Sequence, residues 1–173
     1  MSYSVDTNLL LRSVQPAAPQ HQVAVTAINS LQAQGKTLCI TPQNLIEFWS
    51  VATRPQEANG LGLPPERVVH ELQYLQRRFT LLPDTAAIFD EWLGLVTTAG
   101  VIGRRVHDAR LVAVMRVYGV SHILTFNVDD FVSYPGIVVV HPNDVPAPPA
   151  PEQADPTSAN DSGPEQRPDH GTP

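Results

Sequence analysis

Four acidic side chains, Asp6, Glu47, Asp108 and Asp130, sit far apart in the chain but recur at comparable places in its pattern. Asp6 follows the short apolar run Ser2-Tyr3-Ser4-Val5. Glu47 lies inside Asn44-Leu45-Ile46-Glu47-Phe48-Trp49, Asp108 opens the stretch Val106–Tyr118, and Asp129-Asp130 follow the run His122–Phe126. Taken singly, each has a plain explanation: an N-cap for Asp6, a solvated mid-helix acid for Glu47, a dipole-favoured first-turn acid for Asp108, turn residues for Asp129 and Asp130. Together they are different. Carboxylates gathered within a few ångströms repel one another, and at least one protonates unless a cation neutralises them. Mg²⁺ or Mn²⁺ suits such a set, because both are hard ions that take oxygen ligands and keep several waters. The chemistry that follows is phosphodiester hydrolysis, with the metal activating a water and stabilising the leaving oxyanion. Arg104, Arg105 and Arg110 bracket Asp108 and are candidates for phosphate contact, with solvated helix-end arginines as the competing reading. His107 points about 100° away from Asp108 on an ideal helix and is expected to be exposed or supporting rather than a base.

The elements that must bring these acids together are legible as alternation. Short apolar runs at Ser2–Val5, Thr37–Ile40, Phe79–Leu82, His122–Phe126 and Ile137–Val140 read as buried parallel strands. Between them, His21–Gln34, Pro42–Thr53, Pro65–Arg78, Thr85–Thr98 and Val106–Tyr118 carry apolar residues at helical spacing. Thr41-Pro42 is a cap and first-turn pair, and Gly100 and Gly119 are stop signals. The segment Arg54–Leu63, with Pro, Asn and two Gly, reads as a surface loop. Strand–helix alternation predicts an α/β fold, a mostly parallel five-stranded sheet with helices on both faces. In such a sheet the strand-linked acids emerge on one edge, the carboxyl edge, where open α/β sheets bind ligands.

Composition narrows the field further. The 173 residues suffice for one domain. Residues 146–173 hold eight prolines, five acids and one arginine, with no aromatic or branched aliphatic residue. Such a segment cannot bury enough apolar surface to offset its ordering entropy, so a disordered tail is expected beyond a folded domain of residues 1–145. The tail carries −4 of the −6 net charge. Setting aside the four candidate acids leaves eight acids against ten basic residues in 1–145, a slightly basic remainder that is compatible with a nucleic-acid substrate. Cys39 is the sole cysteine, in a buried run, and is expected to be an inert core thiol in a reducing compartment. No run of 18 apolar residues and no signal-peptide pattern occurs, so a cytoplasmic protein without a membrane partner is expected. Zinc-type Cys or His pairs, Gly-rich phosphate loops and a Gly-x-Ser-x-Gly elbow are all missing, and Lys36 is the only lysine.

The acid-bearing segments resemble those of the PIN-domain ribonucleases, in particular the VapC-like toxins of toxin–antitoxin pairs. Val5-Asp6-Thr7-Asn8-Leu9-Leu10 is similar to the opening motif, and Asn44-Leu45-Ile46-Glu47-Phe48 to the second. His107-Asp108-Ala109-Arg110-Leu111 is similar to the third, and Ile123 to Phe131 to the closing Thr-x-Asn/Asp-x-x-Asp-Phe motif. The four occur in order across most of residues 3–145. The resemblance implies a three-layer α/β/α sandwich and Mg²⁺- or Mn²⁺-dependent cleavage of RNA. It also implies a VapB-like protein antitoxin that inserts into the acidic site, and homodimers, which are frequent in the family. By carry-over, Asp6, Asp108 and Glu47 are metal ligands. Some relatives have Asp where this chain has Asn127, so the fourth corner is either Asp130, reached through a turn, or the Asn127 position itself. Asn8, Thr125 and Asn127 are the supporting residues, which position the first Asp or the metal's waters.

Three other readings compete. A haloacid-dehalogenase-like phosphatase also begins with a strand and an Asp, but it needs a second Asp where this chain has Asn8, and Lys36 is badly placed for the supporting base. A housekeeping RNA-processing nuclease would carry the same site without an antitoxin. A non-catalytic PIN-like module that only binds RNA or a partner would have no need for all four acids.

Overall fold

The structure, a computed structural model, describes residues 1–146; the proline-rich tail expected to be disordered lies, apart from Pro146, outside the described residues. The elements run β1 (Ser2–Val5), α1 (Thr7–Ser13), α2 (His21–Ala33), β2 (Thr37–Ile40), α3 (Pro42–Thr53), α4 (Pro65–Arg78), β3 (Thr80–Leu81), α5 (Ala86–Ala99), α6 (Arg105–Val117), β4 (His122–Leu124) and β5 (Val138–Val140), with 3₁₀ turns at Gln56–Ala58, Val128–Asp130 and Pro142–Asp144. All five expected strands and all five expected helices form, with no end moved by more than two residues. The largest difference is at β4, expected to reach Phe126. It ends at Leu124, although Thr125 N–H still donates to Val140 O at 3.1 Å. There the chain turns out of the sheet, because Thr125 Oγ1 accepts from Asn127 N–H at 2.9 Å and starts the 3₁₀ turn.

Every strand pairing is parallel, in the order β3-β2-β1-β4-β5. From β1 the chain builds outward to β2 and β3 on one side, then returns to lay β4 and β5 on the other. The β1/β4 boundary is therefore the topological switch point, where connections leave in opposite directions and open a crevice at the strand ends. Asp6 follows β1 and Thr125 follows β4, so the switch point places them side by side.

Alternation along the strands separates the two helical layers. Tyr3 and Val5 of β1 and Leu124 of β4 join one cluster with Leu9, Leu10, Ile28, Phe48 and Leu75 from α1 to α4. Ile123 of β4 faces the other, with Val112 and Met115 of α6 and Phe131. Helix α3 starts at a capping box. Thr41 Oγ1 accepts from Asn44 N–H, the Asn44 side chain accepts from Thr41 N–H, and Pro42 occupies the first turn. That cap fixes the phase at which Glu47 leaves the helix. Helix α5 ends at Gly100, whose φ of +60° is a left-handed conformation that favours glycine. Cys39 is buried, as its surroundings in the sequence imply.

Candidate active site

Asp6 occupies the N-cap position of α1, yet its side chain makes no cap hydrogen bond. The carboxylate is bound across the switch point instead. Thr125 Oγ1 donates to Asp6 Oδ2 at 2.6 Å and Asn8 Nδ2 donates to the same oxygen at 2.8 Å. Thr125 is fully buried, and its oxygen also accepts from Asn8 Nδ2 at 3.1 Å and from Asn127 N–H. With its acceptor capacity filled, the hydroxyl proton is left to point at Asp6. The capping explanation for Asp6 is thus replaced by a side-chain relay, in which Asn127 contributes a backbone N–H.

Glu47 is held by the same device. Asn44 Nδ2 donates to Thr7 Oγ1 at 3.1 Å, and Thr7 Oγ1 donates to Glu47 Oε2 at 2.8 Å. Gln43, one turn earlier on α3, donates to Glu47 Oε1 at 2.8 Å and to the His107 carbonyl at 2.9 Å. One amide therefore ties Glu47 to the start of α6, the turn that carries Asp108. Arg110 donates to Gln43 Oε1 at 3.1 Å and forms an ion pair with Asp84 at 2.7 Å. Its guanidinium is engaged between helices, so contact with a phosphate would require exchanging one of these partners.

Asp6, Glu47, Asp108 and Asp130 all line one cleft of about 880 Å³ at the carboxyl edge, together with Asn8 and Asn127. Asp129 is exposed and is not among the lining residues. Arg104 and Arg105 are exposed at the cleft, as is Arg54, which the sequence did not single out. Arg54 ends α3 where the loop folds tightly back: a Cβ on Gly60 would lie 2.0 Å from the Arg54 carbonyl oxygen. His107 is exposed, as expected, and takes part through its carbonyl.

The electrostatics register the crowding. Burial pushes the Asp6 carboxyl up to about 6; the Thr125 hydroxyl and the nearby backbone N–H groups of Asn8 and Thr7 work against that rise, and the Glu47 charge adds to it. Asp108 is likewise pushed up to about 6, by burial first and then by the charges of Asp130, Asp6 and Glu47. Asp108 thus feels all three of the other acids. Among the described residues, however, no three His, Cys, Asp or Glu side chains form a group that could hold a metal ion as they stand. The two observations are compatible. A magnesium-type ion takes only one or two direct carboxylates and completes its shell with water. The donor set, all oxygen, fits such an ion; a closed cage is not what it forms.

Thr7, Gln43, Asn44, Arg54 and Asp84 are the additional residues of the site. Gln43 was findable, since it stands four residues before Glu47 and such pairs meet on a helix. Thr7 lay within the first acidic segment. Nothing local in the sequence marks Asp84.

The PIN domain family model matches residues 3–136. Ribonuclease VapC24 of Mycobacterium tuberculosis is 28% identical over 138 residues, 76% of this chain and 90% of that protein. Among solved structures, the fold is similar to VapBC2 from Rickettsia felis (TM-score 0.60, 15% identity, 82% of this chain and 98% of that one). It is similar also to VapBC-1 from nontypeable Haemophilus influenzae (TM-score 0.60, 16% identity, 83% and 99%). With the family match spanning β1 to the turn before β5, and with the parallel sheet and the acid-lined cleft in place, the chain belongs to the PIN domain family.

Proposed function

We propose that this protein is a divalent-metal-dependent endoribonuclease that acts as the toxin of a toxin–antitoxin pair. The observation that carries the reading is the convergence of Asp6, Glu47, Asp108 and Asp130, from four separate segments, on one cleft at the switch point. The likeness to Ribonuclease VapC24 supports RNA as the substrate class, and the VapBC complexes among the fold neighbours support a VapB-like antitoxin as partner. Homodimerisation and a cytoplasmic location belong to the same proposal. Among the described residues no helix is long and apolar enough to cross a membrane.

Asp6 and Asp108 would hold Mg²⁺ or Mn²⁺, with Glu47 and Asp130 beside them. When bound, the ion supplies Lewis acidity to the scissile phosphate and lowers the pKa of an attacking water. The protein's own groups do the rest. Thr125 and Asn8 hold Asp6 Oδ2, leaving Oδ1 for the ion or its waters. Thr7 and Gln43 bind one oxygen each of Glu47 and fix its plane. Arg104 and Arg105, exposed at the rim, offer charge to the RNA backbone. The crowding of Asp108 by three acids supports a cation in the working state, because neutralisation removes the repulsion that raises its pKa.

The test is cleavage of single-stranded RNA by the purified chain with Mn²⁺, with Mg²⁺ and with chelator. Activity should need the ion and be lost in Asp6→Asn and Asp108→Asn. Normal folding of both variants with parental cleavage rates would overturn the site assignment. Parental RNA binding with no cleavage under any metal would favour the binding-module reading.

A further inference from the structure

Asp84 stands in the connection between β3 and α5, outside the four acidic segments, yet it lines the cleft with Gln43 and Arg110. Its side chain is half exposed, and an ion pair that exposed adds little stability of its own. Its backbone, by contrast, is held by the two residues before it. Leu82 N–H donates to the Ile40 carbonyl of β2 at 2.8 Å. The Pro83 carbonyl accepts from the Tyr118 hydroxyl, at the end of α6, at 2.7 Å. The Pro83 ring further restricts the turn. Asp84 is therefore a fixed point at the rim of the site.

From that point a chain of hydrogen bonds runs inward to Glu47. Asp84 Oδ1 accepts from one terminal nitrogen of Arg110 at 2.7 Å, and the other donates to Gln43 Oε1 at 3.1 Å. Gln43 Nε2 then donates to Glu47 Oε1 at 2.8 Å and to the His107 carbonyl at 2.9 Å. The amide oxygen meets a guanidinium and the amide nitrogen meets two acceptors, so a flipped Gln43 would set donor against donor and acceptor against carboxylate. Arg and Gln are long, and ordering each one costs rotamer freedom. Here each is held at its far end by the next: Gln43 by Arg110, Arg110 by Asp84. Among the described residues Gln43 is the sole hydrogen-bond partner of Glu47 Oε1, and Arg110 makes no ion pair with the four acids of the cleft.

We infer that Asp84 is a positioning residue of the acidic site: acting through Arg110 and Gln43, it fixes the Glu47 carboxylate for cation binding. On the nuclease reading, on which this role rests, Arg110 serves the site by holding Gln43 and not by contacting RNA. The link also joins α3, α6 and the β3–α5 connection around Glu47, so the placement of one carboxylate depends on all three.

The experiment is a calorimetric titration with Mn²⁺, without RNA, of the parent, Arg110→Met, Asp84→Ala, Gln43→Leu and the double variant Asp84→Ala/Gln43→Leu. Charge alone predicts that losing the Arg110 cation tightens Mn²⁺ binding. The link predicts the opposite sign: Arg110→Met should weaken binding by about three- to ten-fold, as for residues coupled in one network. Asp84→Ala should weaken it by a similar factor while moving Tm little. In the Gln43→Leu background Asp84→Ala should add nothing, whereas a field effect of the lost acid would persist. In the metal-free chain, the Gln43 side-chain amide protons, identified by their loss in Gln43→Leu, should exchange slowly in the parent and faster in Asp84→Ala. Unchanged or tighter Mn²⁺ binding in Arg110→Met, full additivity in the double variant, or amide exchange indifferent to Asp84→Ala would each overturn the role. So would a raised RNA KM in Arg110→Met with Mn²⁺ affinity unchanged, which would make Arg110 a phosphate contact. A parent that neither binds Mn²⁺ nor cleaves RNA would remove the nuclease reading, and the amide exchange would still decide whether Asp84 holds Gln43.

Discussion

Replacing Asp108 by Asn should stabilise the metal-free protein while destroying its activity. The carboxyl is raised from 3.8 to about 6 by burial and by three neighbouring acids. That rise corresponds to about 3 kcal/mol of unfavourable charge at neutral pH, at about 1.4 kcal/mol for each tenfold change in proton affinity. Asp108 is partly exposed, so screening reduces this to about 1–2 kcal/mol. The sign follows from proton counting. Below about pH 4 the group is protonated in both folded and unfolded chains and contributes nothing. Between about 4 and 6 the folded chain keeps a proton that the unfolded chain has lost, so stability falls as pH rises, and the full penalty stands above about 6. The neutral amide of the variant never carries the charge. In chelator at pH 7.5, Asp108→Asn should therefore melt higher than the parent, by roughly 2–8 °C at about 2–4 °C per kcal/mol for a chain of this size. The advantage should vanish near pH 4. Thermal melts of parent and variant at pH 4, 5.5 and 7.5, each with chelator, measure it. A variant that melts lower than the parent at pH 7.5, or an advantage that is the same at every pH, would refute the electrostatic account of the site.

Other outcomes follow from the same geometry. Mn²⁺ should raise the parent's Tm, by the equivalent of about 2.7 kcal/mol at a hundred times its Kd, and should leave Asp6→Asn unmoved in a thermal-shift titration. Thr125→Val removes the 2.6 Å donor to Asp6 while keeping the side chain's shape. A hydrogen bond to a charged group contributes about 1.5–3 kcal/mol, so urea unfolding at pH 7.5 should show a loss of that order. Gln43→Leu frees one oxygen of Glu47 and its tie to the His107 carbonyl. Cleavage or Mn²⁺ affinity should fall by about 10–100-fold, the usual effect of removing a ligand's supporting partner. Asp130→Asn should cost most of the activity and Asp129→Asn little, because only Asp130 lines the cleft; equal effects in parallel cleavage assays would remove Asp130 from the fourth corner.

The strands and helices were legible because their signals are local: β-branched runs, helical spacing, Thr41-Pro42, Gly100. The acids were legible because parallel topology sends strand ends to one edge. The threonine relays were not. Thr125 was expected to position Asp6 or the metal's waters, but Thr7 stood beside Asp6 with no sign that its partner is Glu47, forty residues away. Such a pairing depends on which side of β1 each neighbouring strand takes, and that order follows from the packing of whole layers. Arg110 shows a different gap. It lines the cleft beside Asp108, but nothing local in the sequence announced that its guanidinium also pairs with Asp84, in the connection between β3 and α5.

The strand order also explains why the relays exist. At a switch point, neighbouring connections leave in opposite directions, which opens the crevice that Asp6 and Glu47 line. Two threonines bridge it, each with its acceptor side occupied by an amide from Asn8 or Asn44 and its proton turned to a carboxylate. For Asp6 the Thr125 bond stabilises the ionised form and works directly against burial. For Asp108, burial and the charges of the other three acids are offset only by the charge of His107. The site therefore holds Asp6 and Glu47 in place by hydrogen bonds and leaves Asp108 to electrostatics. A cation beside Asp108 would relieve the repulsion it feels from the other three acids, and its substitution separates the energetics of the site from the stability of the fold.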